Sequence, residues 1–153
     1  MNLTDYLTED QVLLELKAAT KAEVLKEIAD RAFELGLVPT SEGFLKGLTD
    51  RENLISTGIG DGIAIPHTRY EGPEKISILF ARSKAGVDFD ALDGDSVHIF
   101  ITIVGPETAD KEQLKILSRT ARLLKQAEFR DRLLSMETPA DVIRCIRDEE
   151  ALI

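Results

Sequence analysis

The chain has 153 residues and a mass of 16.9 kDa, the size of one average domain, and its 43% hydrophobic and 31% charged residues are the mix of a globular protein rather than a disordered or fibrous one. A formal charge of −9 argues against a general nucleic-acid binder, which needs a cationic face to displace counterions from phosphates, and the single cysteine, Cys145, excludes an internal disulfide or a Cys-rich zinc site. No run approaches the ~20 apolar residues of a membrane span, and the opening Met-Asn-Leu-Thr-Asp-Tyr lacks the basic and apolar regions of a signal peptide, so the expectation is a cytoplasmic protein without direct membrane insertion.

In chain order, Val12, Leu14 and Leu16 alternate with Leu13, Glu15 and Lys17 and predict a short strand with one apolar face. Thr20 and Glu23 form a capping-box pattern ahead of Val24, Leu25, Ile28, Ala29, Ala32 and Leu35 at helical spacing, and Gly36 stops that helix. A second helix begins near Ser41, with Phe44, Leu45 and Leu48 on one face and Arg51 in its last turn. From Ser56 to His67 the glycines at 58, 60 and 62 predict a shaped loop running into a strand. Ile76 to Ala81 and Val97 to Val104 have the β-branched content of mostly buried strands, with Asp93-Gly94 in their connector. Asp110 and Gln113 repeat the capping-box pattern before a long helix with Leu114, Leu117, Ala121 and Leu124 on one face. Phe129, Leu133 and Leu134 predict a short helix, and Thr138-Pro139 opens a last one carrying Val142, Cys145 and Ile146, which makes Cys145 a core residue. The simplest way to bury these faces is an α/β fold: a single mixed β-sheet flanked by helices on both faces, in three layers and one domain over 1–153.

Of the two histidines, His98 lies inside a strand pattern, opposite Val97 and Ile99, and reads as structural. His67 follows Pro66, which fixes its own φ, biases Ile65 and so holds the imidazole in a restricted direction. A neutral imidazole keeps a lone pair able to attack phosphorus, and the resulting phosphoramidate needs donors around its oxygens. Ser56, Thr57 and the amides of Gly58, Gly60 and Gly62 are candidates for such an anion site, with Arg51 or Arg69 as the cation. A glycine-rich turn beside an idle surface histidine is the alternative, and spacing alone leaves both open. Two histidines 31 positions apart without an acidic or thiol partner show no metal-ligand spacing. The glycine run lacks the Lys-Ser/Thr of a P-loop and the spacing of a dinucleotide fingerprint, and a serine-hydrolase elbow is absent, so no cofactor is expected.

Arg51-Glu52, followed by Ser56-Thr57-Gly58-Ile59-Gly60-Asp61-Gly62-Ile63-Ala64-Ile65-Pro66-His67, resembles the active-site signature of the fructose/mannitol class of enzyme IIA domains of the bacterial phosphoenolpyruvate-dependent phosphotransferase system, its nitrogen-regulatory branch included. Val87 to Gly94 and the strand ending at Gly105-Pro106 are similar to that family's central region. The resemblance implies a single enzyme IIA (type 2) domain over 1–153, with His67 accepting a phosphoryl group from an HPr-type phosphocarrier. Transport members pass the group to a cysteine of an enzyme IIB protein, whereas the regulatory branch tunes other proteins through its phosphorylation state. Cys145 is not that cysteine. By the same resemblance Arg51 orients or neutralises groups near the phosphoryl, against the reading of a solvated helix-end cation. Members often carry a second histidine where Gln113 stands here; an amide donates to a phosphoryl oxygen but takes no positive charge. Gln113 is then either that donor or only the capping-box partner of Asp110. Ile59 and Ile63 are candidates for the surface on which HPr docks. A member that keeps the fold and has lost transfer is a third possibility.

Overall fold

The computed structural model describes residues 1–69 and 71–153. Three helix starts follow local capping by a threonine. In α1 (Lys21–Glu34) the Thr20 hydroxyl accepts from the Glu23 amide at 3.3 Å and donates to the Glu23 carboxylate at 2.8 Å. The helix ends with Gly36 at φ +73°, Gly36 N bonding Phe33 O and Leu37 N bonding Ala32 O, a Schellman closure. Thr40 caps α2 (Ser41–Leu54) through the Gly43 amide. Thr138 caps α5 (Pro139–Glu150), with Pro139 in the first position where its missing N–H costs nothing.

Among the described residues, five strands form one mixed sheet: β1 (Val12–Leu13), β2 (Gly58–Gly60), β3 (Ile63–Ala64), β4 (Ser77–Val87) and β5 (Val97–Val104), in the order β1-β4-β5-β3-β2. β1 runs parallel to β4 and β3 parallel to β5, while the β4–β5 and β2–β3 pairs are antiparallel. The two central strands are buried on both faces, which explains their unbroken apolar runs. Ile78, Phe80, Ile99, Ile101 and Ile103 face a core completed by α3 (Asp110–Leu123), α4 (Ala127–Ser135) and α5, and Cys145 belongs to this core. Leu79, Ala81, Phe100 and Val104 face the core under α1 and α2. This is the expected single mixed sheet with helices on both faces. No helix among the described residues is long and apolar enough to cross a membrane.

Five expectations need correction. The first strand pairs only over Val12 and Leu13, and Val12 and Leu16 enter opposite cores because the chain bends between them. β4 continues past Ala81 to Val87 through Arg82, which is 3% exposed; its Nη1 donates to Leu133 O at 3.0 Å and Met136 O at 2.6 Å, so a cation replaces the apolar signal of a buried strand. The glycine-rich loop is largely the β2–β3 hairpin, turned by Asp61 and Gly62 at φ +58° and +78°. Finally, α3 buries Gln113, Ile116, Thr120 and Leu123, while Leu114 is 62% exposed. Two buried polar residues fit that face because the Gln113 amide donates to Pro106 O at 2.8 Å and the Thr120 hydroxyl to Ile116 O at 2.7 Å. The Asp110–Gln113 capping box does not form: Asp110 is already helical and Ala109 precedes it as the uncapped first position.

Candidate functional site

His67 extends the line of β3. Ile65 N bonds Thr57 O, Ile103 N bonds Pro66 O, and His67 itself bridges in parallel to Ile103. Its Nδ1 lies 2.8 Å from Ile65 O. A carbonyl can only accept, so Nδ1 carries the proton and Nε2 keeps the lone pair. Burial pushes the imidazole pKa below 6.5, and the Arg51 and Arg69 cations push the same way, against the Ile65 carbonyl and Glu52, which favour the charged ring. The ring is therefore neutral at pH 7, with its nucleophilic nitrogen defined.

The imidazole lines a cleft of about 860 Å³ between α2 and the first turns of α3. Two close approaches shape it. A Cβ at Gly47 would lie 2.9 Å from the Thr68 methyl, so only glycine lets α2 come this near the His67 strand. A Cβ at Gly105 would lie 2.9 Å from Gln113 Nε2, so the bare backbone there admits the Gln113 amide. Arg51 Nη1 donates to Ile55 O at 2.8 Å, and Arg69 Nε stands 3.4 Å from Asp110 Oδ1; both arginines line the cleft with His67 and Gln113. Two cations, an amide and a neutral imidazole with a free lone pair can hold and accept an anionic group.

The structure thus brings His67, Arg51, Arg69 and Gln113 together and places the predicted anion loop elsewhere. The Ser56 hydroxyl donates to Phe89 O at 2.9 Å, and the buried Thr57 gives its amide and hydroxyl to Glu52. Gly58 and Gly60 pair with β3, and Gly62 O receives the His98 and Ile99 amides. None of Ser56, Thr57, Gly58, Gly60 and Gly62 lines the cleft, because the hairpin uses these groups to close itself. Ile59 is 43% exposed on the hairpin, but Ile63 is 2% exposed: β3 lies between β5 and β2, and its side chain points into the core, so the docking expectation for Ile63 fails. His98 is structural, its Nδ1 3.0 Å from Ser83 O. Sequence reasoning missed the exposed apolar rim of the cleft, Leu54 at 80% and Leu114 at 62%, with Ile55 beside it at 56%. Leu54-Ile55 at a helix end without a core partner was the available signal.

The chain is similar to known proteins in sequence and fold. Residues 5–149 match the family described as the phosphoenolpyruvate-dependent sugar phosphotransferase system, EIIA 2. The chain is 33% identical over 98% of its length to the fructose-specific EIIABC component of Bacillus subtilis, spanning 24% of that longer protein. It is 34% identical to the fructose-specific EIIA component of Haloferax volcanii, over 93% of this chain and 94% of that one. The crystal structure of the nitrogen regulatory protein IIA-Ntr from Neisseria meningitidis superposes with a TM-score of 0.89 at 28% identity, covering 94% of this chain and 98% of that one.

Proposed function

The chain belongs to the EIIA 2 family of the phosphoenolpyruvate-dependent sugar phosphotransferase system, and from that premise we propose that it carries a phosphoryl group on His67, taken from an HPr-type phosphocarrier and passed to a cysteine of an enzyme IIB protein. Family members are phosphotransfer components that work with an EIIB partner. The observation that carries the residue assignment is the Nδ1 contact to Ile65 O inside the cationic cleft.

In the transfer, Nε2 attacks phosphorus along the axis of the breaking donor bond; the new P–Nε2 bond forms as the donor keeps the electron pair of the old one. The Nδ1 proton stays on the ring, and its bond to Ile65 O stabilises the positive charge that develops there. Arg51 and Arg69 face the phosphoryl oxygens as cations, and Gln113 offers an amide N–H. Ser56, Thr57 and the loop glycines act one step removed, by closing the hairpin that aligns Ile65-Pro66-His67. No metal or cofactor enters this scheme. The exposed Leu54, Ile55 and Leu114 supply the apolar rim for the incoming carrier, with Ile59 further along the hairpin. We read residues 1–153 as one enzyme IIA domain working in the cytoplasm.

A second reading, regulation of other proteins by the phosphorylation state of His67, is favoured by the close superposition on IIA-Ntr. Loading the protein from phosphorylated HPr and then adding cysteine-bearing IIB proteins separates the two. Label that moves to a IIB protein supports transport, a phosphoprotein stable to every IIB tried supports regulation, and no loading from an active donor contradicts both.

A further inference from the structure

One residue after Arg51, Glu52 is 6% exposed. Its carboxylate accepts from the Thr57 amide at 3.1 and 3.2 Å and from the Thr57 hydroxyl. Lys21, the first residue of α1, places Nζ 3.0 Å from Glu52 Oε1, 4.8 Å from the Phe89 ring centroid and 3.7 Å from Asp90 Oδ2. A carboxylate taken so far from water is tolerated when its charge is matched. Lys21 supplies the match from outside, since it does not line the His67 cleft.

The charges around His67 show what depends on this pair. Lys46 is paired with Asp50 at 2.7 Å, Arg69 with Asp110 at 3.4 Å, and Glu52 with Lys21. Among these described residues Arg51 alone has a carbonyl, Ile55 O, as its hydrogen-bond partner rather than a carboxylate. The side chains lining the cleft thus leave one net positive charge, that of Arg51, while Glu52 acts on His67 from outside the lining and is offset there by Lys21. Geometry runs the same way: the Thr57–Glu52 bonds fix the turn after α2, and the Ile55 carbonyl that receives Arg51 lies in that turn.

We propose that Lys21 is a positioning residue for phosphoryl acceptance: by pairing with Glu52 it pins the turn on which Arg51 rests and cancels a negative charge behind His67. The proposal rests on the reading of His67 as the acceptor. Without the Lys21 charge, Glu52 opposes the arriving phosphoryl and favours the protonated imidazole, which has no lone pair to attack with.

The test follows the His67 ring signals by NMR through a pH titration, and the loading rate from phosphorylated HPr, in Lys21→Met, Lys21→Gln and Lys21→Arg. Circular dichroism reports folding. Lys21→Gln keeps a donor for Glu52 and decides the question if Lys21→Met does not fold. The expected result is a His67 titration moved to higher pH and loading slowed about tenfold at pH 7 in the neutral variants, with both restored in Lys21→Arg. A native titration in a folded neutral variant, a shifted titration with native loading, or an arginine variant as slow as the glutamine one overturns the role of Lys21. Because the titration needs no phosphoryl donor, failure of the native protein to load is seen separately and contradicts the acceptor reading itself.

Discussion

At the scale of single residues, the chemistry rests on which His67 nitrogen is free and on the charge state of the ring. The folded pKa lies below 6.5, so the neutral nucleophile persists as the pH falls through 6.5 and is lost only as it passes the folded value. The same shift means that His67 contributes to stability above about pH 6.5, and that this contribution disappears as the pH drops toward the folded value, because the unfolded chain takes up the proton first. Arg51→Ala removes one of the cations that depress the ring. In a pH–rate profile of loading, the acid limb of this variant is expected at higher pH than in the native protein, with the plateau rate ten- to a hundredfold lower, roughly the effect of losing one charged donor. An unmoved limb would show that Arg51 does not act on His67. His67 and Arg51 were singled out in the sequence by the family resemblance of the Arg51-Glu52 and Ile65-Pro66-His67 motifs, whereas spacing alone left His67 open. Gln113 was legible only as a position. Its bond to Pro106 O and the room made for it by Gly105 are tertiary facts.

At the scale of elements, the cleft depends on how near α2 comes to the His67 strand. Gly47→Ala gains about 1 kcal/mol of helix propensity, but its methyl meets the Thr68 side chain at 2.9 Å, and Thr68 is 8% exposed with little room to move. The expected balance is a loss of about 1–2 kcal/mol, read by urea denaturation, with slower loading as Arg51 shifts. Adding Thr68→Ser, which removes the obstructing methyl, is expected to restore both. Arg82 is the corresponding device on the opposite face. Arg82→Met leaves the Leu133 and Met136 carbonyls without their donor and is expected to cost about 2–4 kcal/mol in the same assay without changing how His67 titrates. The capped helices were readable because Thr20 and Thr138 mark their starts. The run of β4 through Arg82-Ser83-Lys84 and the burial face of α3 were not, since polar side chains satisfied by distant carbonyls look in sequence like solvent-facing ones. The hairpin did carry a signal, Asp61-Gly62, a dipeptide suited to two successive positive φ values.

At the scale of the whole molecule, a chain of net charge −9 presents a cleft in which Lys46, Arg51 and Arg69 outweigh Asp50 and Asp110 by one charge, inside an exposed apolar rim. In the proposed transfer, this field would steer a carrier with a basic docking face toward the protein, and the apolar rim would then hold it. Leu54→Glu with Leu114→Glu is expected to raise the KM for phosphorylated HPr at least tenfold and to leave kcat and the thermal midpoint nearly unchanged, since both side chains are already in water. Raising the salt concentration is expected to weaken association in the native protein as well. The layered fold was readable from the order of apolar runs. The placement of the site at the end of β3, between α2 and α3, required the strand order, in which β3 lies beside β5 although β4 precedes β5 in sequence.

In the proposed transfer one named nitrogen, Nε2 of His67, accepts the phosphoryl group. The most direct measurement is to load uniformly ¹⁵N-labelled protein from phosphorylated HPr and locate the phosphorus by ³¹P–¹⁵N coupling, with His67→Gln as the control. The geometry predicts coupling to His67 Nε2, a retained Nδ1 proton and no loading of the glutamine variant. Phosphorus on Nδ1, on another residue, or on the His67→Gln protein would contradict it.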